Sequence, residues 1–126
     1  MAAYLAEASP RHAVALAFYH SGTLALATGC GIVRLDLLAP AALDGTIDRL
    51  TAEGFEPIFV LDRDLEEAAF RERFAASRYG GLTWAPRAEF VSTSSVRYFI
   101  ASDLARQAEG QTWPTDVVRD VAASRQ

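Results

Sequence analysis

Apolar and polar positions along this chain keep one rhythm for about eighty residues and then change it. Residues 13–19 (AVALAFY) form a short apolar run between Pro10 and Gly22, which suits a strand buried on both faces better than so short a helix. Ser21, Gly22 and Thr23 stand where they can cap a short helix over 24–28, closed by Gly29 and Gly31, and 32–38 (IVRLDLL) reads as a second strand. Leu43, Ile47 and Leu50 recur at helical spacing. Asp44 and Asp48 lie near the start of that stretch and Gly54 just past its end, so the spacing predicts an amphipathic helix over 41–53. The run 57–61 (PIFVL) predicts a third buried strand. Asp62 or Asp64 then caps a helix with Leu65, Ala69, Phe70 and Phe74 along one side, ended by Gly80 and Gly81.

Past Gly81 the pattern switches to two short runs, 87–91 and 96–100, joined by Ser92, Thr93, Ser94 and Ser95, a link short enough for a hairpin. Ser102-Asp103 and Thr115-Asp116 each offer a helix start, 110–114 reads as a linker, and the last ten residues are expected to be loosely held. The βαβαβα order calls for mostly parallel pairing with right-handed crossovers. The expected fold is therefore an α/β, Rossmann-like domain with a mostly parallel sheet and a C-terminal antiparallel β-hairpin. At 126 residues one domain is expected over 1–126, with its core over about 10–101 and a short helical tail over 102–126.

Composition narrows the partners. Hydrophobic residues make up 51% and charged residues 22%, so the chain has enough apolar matter to fold. The net charge of -4 argues against a polyanion, because nucleic-acid binding rests on counterion release by a basic patch. Nine of the twelve cations lie from Arg63 onward, but Asp62, Asp64, Glu66, Glu67 and Glu72 are interleaved with them, as on a solvated mixed-sign surface. All twelve are arginine and asparagine is absent, which points to a GC-rich bacterial genome. The single Cys30 cannot form an intramolecular disulfide or a multi-cysteine zinc site. No apolar run approaches the ~20 residues of a membrane span, and residues 1–8 lack a signal-peptide pattern, so the chain reads as soluble.

Ligands of open α/β sheets collect at the carboxyl ends of strands, which directs attention to His20, Ser21, Gly22, Thr23, Asp36, Asp62 and Asp64. A helix start with a glycine and two hydroxyls offers free N–H groups to a small anion, yet Ser and Gly at such a place mostly cap, and neither a dinucleotide loop nor a P-loop spacing is present. His20 beside Ser21 lacks the elbow of a nucleophilic serine, and a structural histidine is the commoner case. The three aspartates suggest metal or acid-base chemistry, but Asp after a buried strand more often caps a helix or pairs with an arginine. Cys30 lacks a base near it in sequence, His12 sits on an entry segment, and Tyr79, Trp84, Phe90 and Trp113 suit the core better than a sugar platform. No catalytic residue, metal site or cofactor is expected.

Five elements in order carry a resemblance: the turn His20-Ser21-Gly22, Arg34-x-Asp36-Leu37-Leu38, Gly54-Phe55-x-Pro57, Val60-Leu61-Asp62 and Phe70-Arg71-x-Arg73-Phe74. Over about 10–100 the chain resembles the soluble C-terminal domain of polytopic, family 39-like bacterial glycosyltransferases of the protein mannosyltransferase and aminoarabinose transferase type. It departs from that pattern where 24–28 replaces a more aromatic helix and where Cys30 and Gly31 replace an arginine. The resemblance implies an extracytoplasmic, non-catalytic accessory domain whose partner is a membrane-embedded glycosyltransferase part or a glycan, met through the loops at His20, Asp36 and Asp62. Two other readings are a free-standing cytoplasmic module binding a small anion at Ser21, Gly22 and Thr23, and a homodimer formed through an edge strand of the terminal hairpin.

Overall fold

The computed structural model describes residues 13–18 and 31–119. In chain order these hold β1 (Ala13–Ala17), β2 (Gly31–Arg34), one 3-10 turn (Pro40–Ala42), α1 (Leu43–Ala52), β3 (Glu56–Asp62), α2 (Glu67–Arg73), β4 (Ala88–Val91), β5 (Ser95–Ile100), α3 (Asp103–Ala108) and β6 (Asp116–Arg119). The strands make one mixed sheet in the order β2-β1-β3-β5-β4-β6. β1 runs parallel to both β2 and β3, β5 runs antiparallel to both β3 and β4, and β6 returns parallel to β4. The fold is thus mixed α/β, with a six-stranded sheet and three helices among the described residues.

Period-2 patterning places alternate residues of the central strands on opposite faces. Leu16, Phe59, Leu61 and Phe99 meet Leu43 and Ile47 of α1 and Phe70 of α2, together with Phe74, Tyr79 and Trp84 from the segment that follows. Phe59 sits edge-on to Phe70 at 5.2 Å and to Trp84 at 6.0 Å, a preferred geometry for buried rings. Ala13, Ala15, Ala17, Ile58, Val60, Val96 and Tyr98 form the opposite face, which is buried as well. Tyr79, Trp84 and Phe90 therefore belong to the core, and Trp84 donates its ring N–H to the Ile100 carbonyl at 2.9 Å.

α1 ends as its sequence requires. Gly54 takes φ 90°, and the N–H groups of Gly54 and Phe55 donate to the carbonyls of Thr51 and Leu50, closing a Schellman motif. Three expectations change. β2 stops at Arg34 rather than Leu38, because Asp36 reaches back to the Arg34 guanidinium and the chain turns there. α2 begins only at Glu67, after a turn over 62–66, so Leu65 is 67% exposed and Ala69 is exposed too, instead of lining the core. Asp116 begins a strand, not a helix, because β4 presents an open edge and Asp116 N–H bonds to the Arg87 carbonyl at 3.0 Å.

The chain turns tightly behind α2. A Cβ added at Gly80 would collide with the Phe74 carbonyl, whereas one at Gly54 meets nothing within 4 Å. Gly54→Ala should cost about 1 kcal/mol through its left-handed backbone alone, and Gly80→Ala at least about 2 kcal/mol because backbone must move. Urea unfolding of the two variants checks this order, and equal midpoints would contradict it.

Candidate functional site

Parallel pairing of β1 with β2 and β3 brings their carboxyl ends to one edge of the sheet. Antiparallel β5 brings the turn between β4 and β5 to the same edge, where the Arg63 N–H donates to the Ser95 carbonyl at 2.7 Å. Asp36, Asp62 and Asp64 all lie on this edge, as their positions after β2 and β3 require. The ends of β2 and β3 are separated by β1, about two strand spacings or ~10 Å. His20, Ser21, Gly22 and Thr23, with Cys30 and His12, lie outside the described residues.

Asp36 sits on the turn after β2 and accepts two bonds from Arg34, at 2.8 Å from Nε and 2.5 Å from Nη2. That bond holds its carboxyl below the ordinary 3.8, the nearby charge of Arg73 adding to the effect. Arg73 donates from Nε to the Leu35 carbonyl at 3.2 Å and from Nη2 to the Leu38 carbonyl at 2.7 Å, so the turn is braced from α2.

Asp62, the last residue of β3, is fully buried. Its Oδ1 accepts the N–H groups of Asp64 and Leu65 at 2.9 and 2.8 Å, while Glu66 Oε1 reaches back to the Asp62 N–H at 2.9 Å. This reciprocal arrangement follows the logic of a capping box and satisfies the first donors of the helical turn. Asp64 is exposed and contributes its N–H to that cap.

The residues that sequence reasoning passed over are the ones that lock this edge. Glu67, its side chain 2% exposed, takes both arms of Arg97 at 2.6 Å and one of Arg71 at 3.4 Å. The Glu67 carboxylate pushes the Arg97 guanidinium up, against the opposing effect of burial. Arg63 meets Glu89 at 3.4 Å nearby. The available signal was Arg97 itself, a charge set inside the apolar strand Ser95–Ile100. At the opposite edge, buried Asp103 accepts Arg87 at 2.6 and 2.9 Å and Arg106 at 2.8 Å. The Arg87 guanidinium in turn lies 4.5 Å over the Trp113 ring, whose N–H donates to the Ala85 carbonyl.

Chemically, this is an edge of charges already satisfied from within. Asp36 serves an arginine, Asp62 a helical turn and Glu67 two arginines, so a ligand would meet a fixed surface of exposed turns. No group of three His, Cys, Asp or Glu among the described residues stands close enough to hold a metal ion, and no described helix is long and apolar enough to cross a membrane. No protein-family model, curated protein or solved structure matches the chain.

Two predictions separate the buried pair from the exposed one. Glu67→Ala should destabilise the fold by about 3 kcal/mol by leaving Arg97 without its carboxylate, whereas Glu67→Leu with Arg97→Met should recover most of that loss; urea unfolding of the three variants reads it. For Asp36, a folded pKa below 3.8 means that its contribution is present above the unfolded value and is lost as pH falls through the folded one. The pair is exposed, so Asp36→Asn should cost less than about 1 kcal/mol at pH 7, with the difference vanishing once acid has protonated Asp36 in the wild type.

Proposed function

We propose that this chain is a non-catalytic accessory domain of a membrane glycosyltransferase-like protein, which meets a glycan or acceptor at the carboxyl edge of β1, β2 and β3. One observation carries the reading. Arg73 of the Phe70-Arg71-x-Arg73-Phe74 element grips the carbonyls of Leu35 and Leu38 in the Arg34-x-Asp36-Leu37-Leu38 element, across 38 and 35 positions of sequence. Two of the elements on which the resemblance rests are thus one braced piece of the candidate edge, with Val60-Leu61-Asp62 ending at the same place. The engaged carboxylates favour a docking surface over a reacting centre, since a general acid or base needs a proton free to move.

The Rossmann-like arrangement belongs to this proposal. The order β2-β1-β3 with parallel pairing is what supports it, since such a sheet has parallel neighbours of this kind at its centre. A homodimer is the weaker alternative. β6 covers the outer edge of β4, so the strand left at that end for pairing with a second copy is β6 itself, where Val117 is exposed.

The test is an NMR amide-shift titration with free glycans, lipid-phosphate sugars and inorganic phosphate. Shifts caused by glycans and clustered in residues 35–38 and 62–66 are expected, together with no sugar transfer from a lipid-phosphate donor. Transfer by this chain alone would overturn the non-catalytic reading. Shifts with phosphate alone, lost in Ser21→Ala with Gly22→Leu, would favour the anion-binding module.

A further inference from the structure

Residues 112–119 are held to the rest of the protein chiefly along one line. Among the described strands β6 pairs with β4 alone, in the parallel sense, which is slightly the weaker pairing per residue. Asp116, Val117 and Arg119 are exposed, and it is Val118 that packs, half-buried, against a core cluster. Ahead of the strand, Trp113 donates its ring N–H to the Ala85 carbonyl at 3.0 Å and lies against the Arg87 guanidinium. Thr115 Oγ1 then donates to the Pro86 carbonyl at 2.8 Å, and the Asp116 N–H to the Arg87 carbonyl at 3.0 Å.

Release of this segment leaves its neighbours satisfied. α3 closes on itself before the segment begins: the N–H groups of Glu109, Gly110 and Gln111 donate to the carbonyls of Ala105, Gln107 and Arg106, with Gly110 at φ 88°. Gln107 holds the Ala85 N–H and the Thr83 carbonyl, so α3 stays on the sheet without help from Trp113. Asp103 keeps both Arg87 and Arg106, so no buried charge is orphaned. What release uncovers is the edge of β4, where Ala88 and Phe90 are buried. An open edge of that kind is a template for another strand. The strand that fits there is β6 itself, so the same segment of a second copy meets the same contacts, which is why exchange of an identical element costs little.

We infer that residues 112–119 are a detachable latch, which swings out beyond Gly110 while the other five strands stay folded, and that the uncovered β4 edge takes the same segment of a second copy. This goes beyond the glycan reading and fails separately from it, since glycan-induced shifts at 35–38 and 62–66 do not depend on whether the latch exchanges. It also differs from two copies joined edge to edge, where each β6 remains on its own β4.

Hydrogen exchange tests the opening. The chain has two tryptophans, and their ring N–H groups are matched probes: that of Trp84, 2% exposed, bonds to the Ile100 carbonyl, and that of Trp113 belongs to the latch. By NMR, the Trp113 ring N–H and the Asp116 amide should exchange together, about a hundredfold faster than the Trp84 ring N–H and with little response to dilute urea, as local opening requires. A common rate and a common urea response for all three overturn the latch. Crosslinking tests the exchange, with Val91→Cys in one copy, Arg119→Cys in the other and Cys30→Ala in both, because Val91 and Arg119 are register partners. Concentrating the mixture, diluting it and oxidising it should give disulfide-linked pairs of the two variants. Adding Trp113→Ala should speed their formation about tenfold by loosening the latch. Absence of mixed pairs, or an excess of Arg119→Cys linked to itself, overturns the exchange.

Discussion

Strand β3 sets the terms for everything around it. It has a parallel neighbour, β1, on one side and an antiparallel one, β5, on the other, and six of its seven residues are buried. Both rows of its backbone groups must find partners away from water, because an unpaired buried donor or acceptor costs about as much as a lost hydrogen bond. Pro57, which has no N–H to give, is confined to the beginning of the strand, and its carbonyl takes the Ala101 N–H at 3.0 Å. The β2-β1 half and the β5-β4-β6 half are one sheet only through this strand.

The polar chemistry then follows from where β3 stops. Its last residue turns inward, and the cost of burying Asp62 is offset by the two N–H groups it accepts. Glu66 and Glu67 follow and are buried too, and Glu67 is matched by Arg97, 30 positions away on β5. Helix, turn and strand are clamped by charge at one edge, and Asp103 with Arg87 does the same at the other. Arginine suits both places because its planar fork takes a carboxylate with two bonds at once.

Legibility in the sequence divided along this line. Short apolar runs announced β1 and β3, and Gly54 announced the end of α1, because burial and backbone geometry act locally. Asp62 was legible as an acceptor of nearby N–H groups, but it holds the turn over 62–66, and α2 itself starts at Glu67 with no side-chain cap. The length of β2 and the late start of α2 were not, since both depend on side chains bending back onto their own turns. β6 (DVVR) has too little apolar pattern to declare itself and becomes a strand because β4 is beside it. Arg73, Arg97 and Arg87 act across 16 to 38 positions, and one sequence contains no signal that joins such distant partners.

Central placement of β3 also has a kinetic side. Its register joins Ala13 to Glu56 and Ile58 to Ile100, pairs about 40 positions apart, so two long loops must close before the middle of the sheet exists. Only β4 and β5, meeting at Val91 and Ser95, can find each other quickly. During synthesis β1 leaves the ribosome first and waits through the making of α1 for its inner neighbour, with an apolar strand of five residues unpaired on that side. The risk of early association lies in that interval rather than in the finished fold.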